Sequence, residues 1–154
     1  PDSGRIKVAE RMAQHLHDCE ADIAFIYKRR PKGQANVVEA KEVIGDVKGR
    51  LCVLTDDMID TGGTIVSAAE LLLERGATEV WAMATHGVLS GPAVERLSAS
   101  PLERLVLTNT LPLPEQNRLS QVEVLSIAPL IAQALSAVFD DTSVSEIFSG
   151  ENYA

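Results

Sequence analysis

Cationic side chains are scarce in this chain: 14 Lys and Arg stand against 22 Asp and Glu, for a net charge of -8. A protein whose main business is nucleic-acid binding would carry the opposite balance, so any basic site must be local. Cysteine is scarce too. The two present, Cys19 and Cys52, form neither a C-x-x-C pair nor a metal-ligand spacing, which argues against a disulfide framework and fits a reducing compartment. Long apolar runs are missing: SIAPLIAQALSAVF (126–139) carries Pro129 and Gln133 and is too short to span a bilayer. No signal-peptide pattern opens the chain, and a cytoplasmic location is expected. Nor is there an internal repeat, low-complexity tract or linker, so the 154 residues, 45% of them apolar, are expected to form one domain with a core of its own. The chain opens on Pro1 and Asp2 without Met and enters a helical pattern almost at once, so it is expected to be a fragment.

What is there is a regular alternation of elements. Val8, Met12 and Leu16 recur at four-residue steps and predict an amphipathic helix ending near Asp18. DIAFIYK (22–28), VVEAKEVIG (37–45) and GRLCVLT (49–55) read as strands, the first two separated by the charged loop KRRPKGQAN. A helix from about Gly63 to Arg75 would put Ile65, Ala68, Ala69, Leu72 and Leu73 on one side, with Gly76 as its stop. EVWAMAT (79–85) then reads as strand and GPAVERLSA (91–99) as a short helix with Pro92 in its first turn. RLVLTNT (104–110) and VEVLS (122–126) read as strands, and APLIAQALSAVF (128–139) as a closing helix. Strands alternating with helices imply right-handed crossovers and an α/β domain: a mostly parallel sheet flanked by helices, of the doubly wound kind. His15 and His17 are expected to face solvent, and Trp81, Cys19 and Cys52 to be packing residues.

Within this pattern the stretch VLTDDMIDTGGTIVSAAELLL (53–73) gathers three carboxylates, Asp56, Asp57 and Asp60, and two glycines at the mouth of a helix. Gly62 and Gly63 let the backbone turn tightly and approach an anion without Cβ obstruction. The hydroxyls of Thr61 and Thr64 can donate, and the free N–H groups of the helix start point the same way. That is the physics of a phosphate cradle. The helix dipole contributes only about 0.3 to 1 kcal/mol there, so directed hydrogen bonds must carry most of the affinity. Asp56 and Asp57 would repel a second phosphate but can accept hydrogen bonds from the vicinal hydroxyls of a sugar. The combination suggests a sugar phosphate. Asp60 can take a proton or a hydroxyl, or simply cap the helix; taken singly, Asp60 or Thr61 reads as an ordinary N-cap and Asp56 and Asp57 as strand-end solvation. Asp56, Asp57, Asp60, Thr85, His86, Thr108 and Asn109 all fall at predicted strand ends, where such sheets bind ligands.

Taken together, the apolar strand, DD, two spacers and DTGGT resemble the phosphoribosyl pyrophosphate loop of type I phosphoribosyltransferases and of ribose-phosphate pyrophosphokinases. PDSG (1–4), KRRP (28–31), ATHGVLSGPA (84–93), VLTNTLP (106–112) and SVSEIF (143–148) are similar to segments of the pyrophosphokinases' C-terminal half, in the same order and across essentially the entire chain. The resemblance implies a type I phosphoribosyltransferase-like domain over residues 1–154, with an N-terminal half absent. It implies a reaction in which the C1 hydroxyl of ribose 5-phosphate attacks the β-phosphorus of Mg-ATP and AMP leaves, for nucleotide biosynthesis. It implies roles as well. Lys28 and Arg30, on a mobile loop, would stabilise the transition state, with Arg29 and Asn36 nearby. Asp56, Asp57, Asp60, Thr61, Gly62, Gly63 and Thr64 would bind ribose 5-phosphate, and Asp2 would help hold Mg²⁺. Ser143, Ser145 and Phe148 match a regulatory segment where phosphate or ADP binds between subunits of a homohexamer. His86 is expected to support the strand-end turn rather than bind metal. Two other readings stay open: a phosphoribosyltransferase that consumes phosphoribosyl pyrophosphate with a base, and a non-catalytic regulatory paralogue.

Overall fold

Val80, Ala82 and Ala84 are buried while Trp81 and Met83 between them are only partly so, the two-residue rhythm of a pleated strand. A computed structural model describes residues 6–29 and 40–148 of the chain. Helix α1 (Ile6–His15) leads to an antiparallel pair, β1 (Phe25–Arg29) and β2 (Ala40–Ile44), which forms a two-stranded sheet by itself. There follow β3 (Leu51–Ile59), α2 (Gly63–Glu74), β4 (Glu79–Gly87), α3 (Ala93–Ser98), β5 (Arg104–Thr108), β6 (Val122–Leu125) and α4 (Ala128–Phe139). Strands β3 to β6 make a four-stranded sheet in the order β3-β4-β5-β6, all neighbours parallel.

The α/β class and the parallel sheet agree with expectation. The order of the described strands in this sheet is sequential, without the reversal of a doubly wound sheet. Helix α2 touches β3, β4 and α3. Ala69, Ala82 and Ala93 are fully buried, and their small side chains let helices and sheet approach closely around Leu72, Leu97, Leu105 and Leu107. Gly76, at φ 92, stops α2 where its glycine predicts, with Ala77 N–H bonding back to Leu72 O at 3.0 Å.

The other sheet face has less cover. Leu51 and Val53 are 45% and 39% exposed, and the Arg104 guanidinium lies 4.6 Å from the centre of the Trp81 ring while pairing with Glu123 at 3.0 Å. Trp81 is therefore a packing residue, capped by a cation. Three other expectations need correction. Strand β3 runs past Thr55 to Ile59, because pairing with β4 continues to Ile59↔Gly87 and Ile59 is buried. Helix α1 forms where its spacing predicts, yet Val8 and Leu16 stay exposed, since that face meets little of the described chain. Cys19 is exposed, sitting on a 3₁₀ turn rather than in a core, whereas Cys52 on β3 is half-buried.

Burial pushes the Cys52 thiol up from its ordinary pKa, with Arg50 opposing in part. Its reactive thiolate is thus less populated at a given pH, and access is narrower than at Cys19. Iodoacetamide at pH 8 is expected to label Cys19 at least about tenfold faster than Cys52, read by peptide mass spectrometry; equal rates would contradict this placement of the two thiols.

Candidate functional site

Asp56 and Asp57 lie within β3, not beyond its end, and this changes how they present. Consecutive strand residues point to opposite faces, so the two carboxylates flank the edge of the sheet rather than stand side by side. Both are half-buried. Each also accepts the following amide: Asp57 N–H donates to Asp56 Oδ1 and Met58 N–H to Asp57 Oδ1, both at 2.9 Å. Those bonds hold the acids in place at a strand end that β-propensity alone disfavours.

After Ile59 the chain turns at Gly62, whose φ of 74 and ψ of -8 are left-handed. Gly62 is buried, and a Cβ there would stand 3.4 Å from Leu97 Cγ, so the strain of a larger residue comes from the dihedral more than from space. It is also the N-cap of α2, without a side-chain cap hydrogen bond. Neither Asp60 nor Thr61 caps the helix. The first turn closes with Val66 N–H on Gly62 O at 3.1 Å, and among the described residues none of the backbone N–H groups of Thr61, Gly62, Gly63 and Thr64 donates a turn or cap hydrogen bond. They belong to the orphan donors of a helix start.

The back of the turn is built by the chain leading into and along α3. Ser90 N–H donates to Asp60 O at 3.1 Å, its hydroxyl donates to Asp60 Oδ1, and Leu89 N–H donates to Ile59 O at 3.0 Å. Arg96 donates from its guanidinium to Thr61 O at 3.1 Å. Neither Ser90 nor Arg96 was singled out by sequence reasoning. In one dimension Ser90 looks like turn filler before Gly91-Pro92, and Arg96 like a solvated helix residue.

At the neighbouring strand ends Thr85, His86 and Thr108 meet through Thr110, while Asn109 turns to the segment after β6. The Thr108 and Thr110 hydroxyls donate to Thr85 O at 2.6 and 2.9 Å. With Thr110's hydrogen so committed, His86 Nδ1, 2.8 Å from Thr110 Oγ1, is the donor of that pair. His86 thus supports the strand-end turn. Asn109 Oδ1 accepts Ile127 N–H at 2.8 Å and ties β5 to the start of α4. A cavity of about 460 Å³ lies beyond it, lined by Leu111, Leu113, Arg118 and Leu119 beside β6, the sheet edge opposite β3.

Lys28 is in β1, paired in register with Lys41, and Arg30, Asn36 and Asp2 lie outside the described residues. Ser143 and Ser145 are exposed, with their hydroxyls 2.7 Å apart, and Phe148 ends the 3₁₀ turn Val144–Phe148, which packs on α4.

A β3-turn-α2 unit with unbonded amides, acids on the strand before it, and a parallel sheet behind it defines an α/β domain whose strand-to-helix turn offers free amide donors at the carboxyl edge of the sheet. Residues 18–149 match the phosphoribosyl synthetase-associated domain, and the chain belongs to that family. It is 53% identical over 148 residues to a ribose-phosphate pyrophosphokinase of Streptomyces avermitilis, a match covering 96% of this chain and 45% of the relative. With the enzyme of that name from Caldanaerobacter subterraneus it shares 50% identity, over 97% of this chain and 46% of the relative. The crystal structure of phosphoribosylpyrophosphate synthetase from Mycobacterium smegmatis superposes with a TM-score of 0.80 at 50% identity, over 90% of this chain and 43% of that one. The chain therefore spans a little under half the length of the curated relatives it matches.

Replacing Gly62 tests the left-handed turn directly. Gly62→Ala is expected to cost about 1–2 kcal/mol in urea unfolding, and Gly62→Asn, which tolerates this conformation better, is expected to cost less. An Ala variant as stable as the parent would mean that Gly62 does not adopt this φ.

Proposed function

We propose that this chain is the sugar-phosphate half of a ribose-phosphate pyrophosphokinase, a transferase that moves the diphosphoryl group of Mg-ATP to ribose 5-phosphate. The observation that carries the proposal is the Asp60–Thr64 turn, whose unbonded amides open at the carboxyl edge of a parallel sheet beside Asp56 and Asp57. The names and identities of the relatives support it.

In this reading the amides of Thr61 to Thr64 and the two threonine hydroxyls take the 5-phosphate, and Asp56 and Asp57 accept from the ribose hydroxyls. Asp60 already accepts the Ser90 hydroxyl. Its role is to shape the cradle and accept from the ligand, and helix capping is not part of it. The C1 hydroxyl oxygen attacks the β-phosphorus, the bond from that phosphorus to the α–β bridging oxygen breaks, AMP leaves and the hydroxyl proton passes to water. Lys28 and Arg30 offset charge on the transferring oxygens. The β1–β2 pair is a sheet of its own, anchored on the core through Ile26 and Val43, which suits a flap that closes over ATP from a fixed base.

Magnesium enters with ATP. Among the described residues no three His, Cys, Asp or Glu side chains gather to hold a metal ion, so no step is assigned to a protein-held one; Asp2 is proposed as a contributing ligand. A homohexamer with phosphate or ADP at Ser143, Ser145 and Phe148 belongs to the same proposal, and the exposed apolar residues of α4, with Val138 at 65% and Phe139 at 85%, suit an assembling chain. A cytoplasmic location fits the two free thiols. Among the described residues no helix is long and apolar enough to cross a membrane.

Calorimetry with ribose 5-phosphate is expected to show about tenfold or weaker binding for Asp60→Ala and Gly63→Val, the latter because a Cβ at Gly63 already stands 3.4 Å from the Arg96 guanidinium. Unchanged affinity in both removes the cradle. In a polypeptide of the relatives' full length, Lys28→Ala should cut AMP formation far more than it weakens sugar binding. Robust AMP formation by the 154-residue chain alone would refute the division of labour between two halves.

A further inference from the structure

The front and back of the Asp60–Thr64 turn are unlike. The front presents unbonded amides; the back is gripped by one stretch of chain, in which Ser90 holds Asp60, Arg96 holds the Thr61 carbonyl, and Ala93 and Leu97 pack on Gly62. The carbonyl of Thr61 and the N–H of Gly62 belong to a single planar peptide and point in opposite directions. Whatever fixes one fixes the other. Because residue 62 is glycine, rotating that peptide by half a turn is sterically easy, and the rotated form would aim a carbonyl, not an amide, at an incoming anion.

We propose that Arg96 is a positioning residue of the phosphate cradle, which locks the Thr61–Gly62 peptide in its anion-binding orientation. The lock is the 3.1 Å bond from the guanidinium to Thr61 O. A charge-assisted bond at the carbonyl also polarises the peptide and makes the Gly62 N–H a stronger donor. Arg96 further sets positive charge 3.4 Å from where a Cβ of Gly63 would stand, at a turn led into by Asp56, Asp57 and Asp60. Among the described residues, it is the cation in contact with this turn. This inference rests on the reading of the turn as the seat of the sugar's 5-phosphate.

The test compares the 154-residue chain with Arg96→Met, which keeps bulk but loses donor and charge, and Arg96→Lys, which restores both in part. Ribose 5-phosphate and neutral ribose are titrated while the amide resonances of Thr61 to Thr64 are followed. Arg96→Met should weaken ribose 5-phosphate about tenfold. It should also move the Gly62 amide resonance before ligand is added, leave ribose binding unchanged, and shift the melting temperature by less than about 2 °C. Arg96→Lys should recover part of the affinity. If the parent binds ribose 5-phosphate at these amides and Arg96→Met binds it equally well, the positioning role is overturned while the cradle stands. An equal loss for ribose, or a loss that merely tracks a lowered melting temperature, reduces Arg96 to a structural contact and overturns the proposal too. If ribose 5-phosphate leaves the amides of Thr61 to Thr64 unmoved in the parent, the cradle reading fails and takes this inference with it.

Discussion

At Gly62 the chain passes through a left-handed conformation while buried against Ala93 and Leu97, and the geometry of the site depends on that one turn. It converts the end of a parallel strand into the start of a helix within three residues, leaving amides bare at the sheet edge. A residue with a Cβ would have to hold a dihedral that L side chains resist, and an extended residue would carry the chain past α3. Leu97 is at once fully buried core and the floor of the turn. Core packing and site geometry are therefore one problem here: hydrophobic burial sets α3 against the sheet, and α3 sets the turn.

The electrostatics are local in the same sense. A net charge of -8 opposes an incoming phosphate, yet a unit charge 10 Å away in water contributes only about 0.4 kcal/mol before screening. At physiological ionic strength the screening length is about 8 Å, so distant acids matter little. Hydrogen bonds to an ionised ligand are each stronger than that, about 1.5–3 kcal/mol. Short-range donors at a helix start can therefore outweigh a diffuse repulsion. Asp56 and Asp57 are close enough to matter, and there their chemistry as acceptors suits hydroxyls rather than further phosphate.

The described strands fall into two sheets that share no ladder. Strands β3 to β6 hold their register through parallel ladders, and the polar knot of Thr85, His86, Thr108 and Thr110 ties two strand ends together beside the turn. The β1–β2 pair, which carries Lys28, shares no ladder with that sheet. It is joined to the rest of the described chain by side-chain packing instead: Ile26 and Val43 lie against the core cluster and β2 touches α2. The less covered face at Leu51 and Val53 and the exposed residues of α4 show that burial is concentrated on the side bearing α2 and α3. Parallel sheets are ordinarily covered on both faces, so cohesion of this chain leans on one layer of packing.

Much of this was legible from residue order alone. Periodicity placed α2, α3, α4 and β4 to β6 within a few residues, because burial imposes a repeat of 3.6 or 2 on the residues themselves. Gly76 marked the end of α2 through its own backbone freedom, and the DTGGT turn announced itself because close backbone approach demands glycine locally. Four features were out of reach: the persistence of β3 through Asp56 and Asp57, the separation of β1–β2 from the main sheet, the sequential strand order, and the grip of Ser90 and Arg96 on the turn. Each is a pairing between segments far apart in the chain, and a strand, serine or arginine carries no local mark of the partner it will meet. Local preference decided which pieces form and where glycine lets the chain turn; only the packing of α3 against α2 and the turn decided which way that turn's amides face.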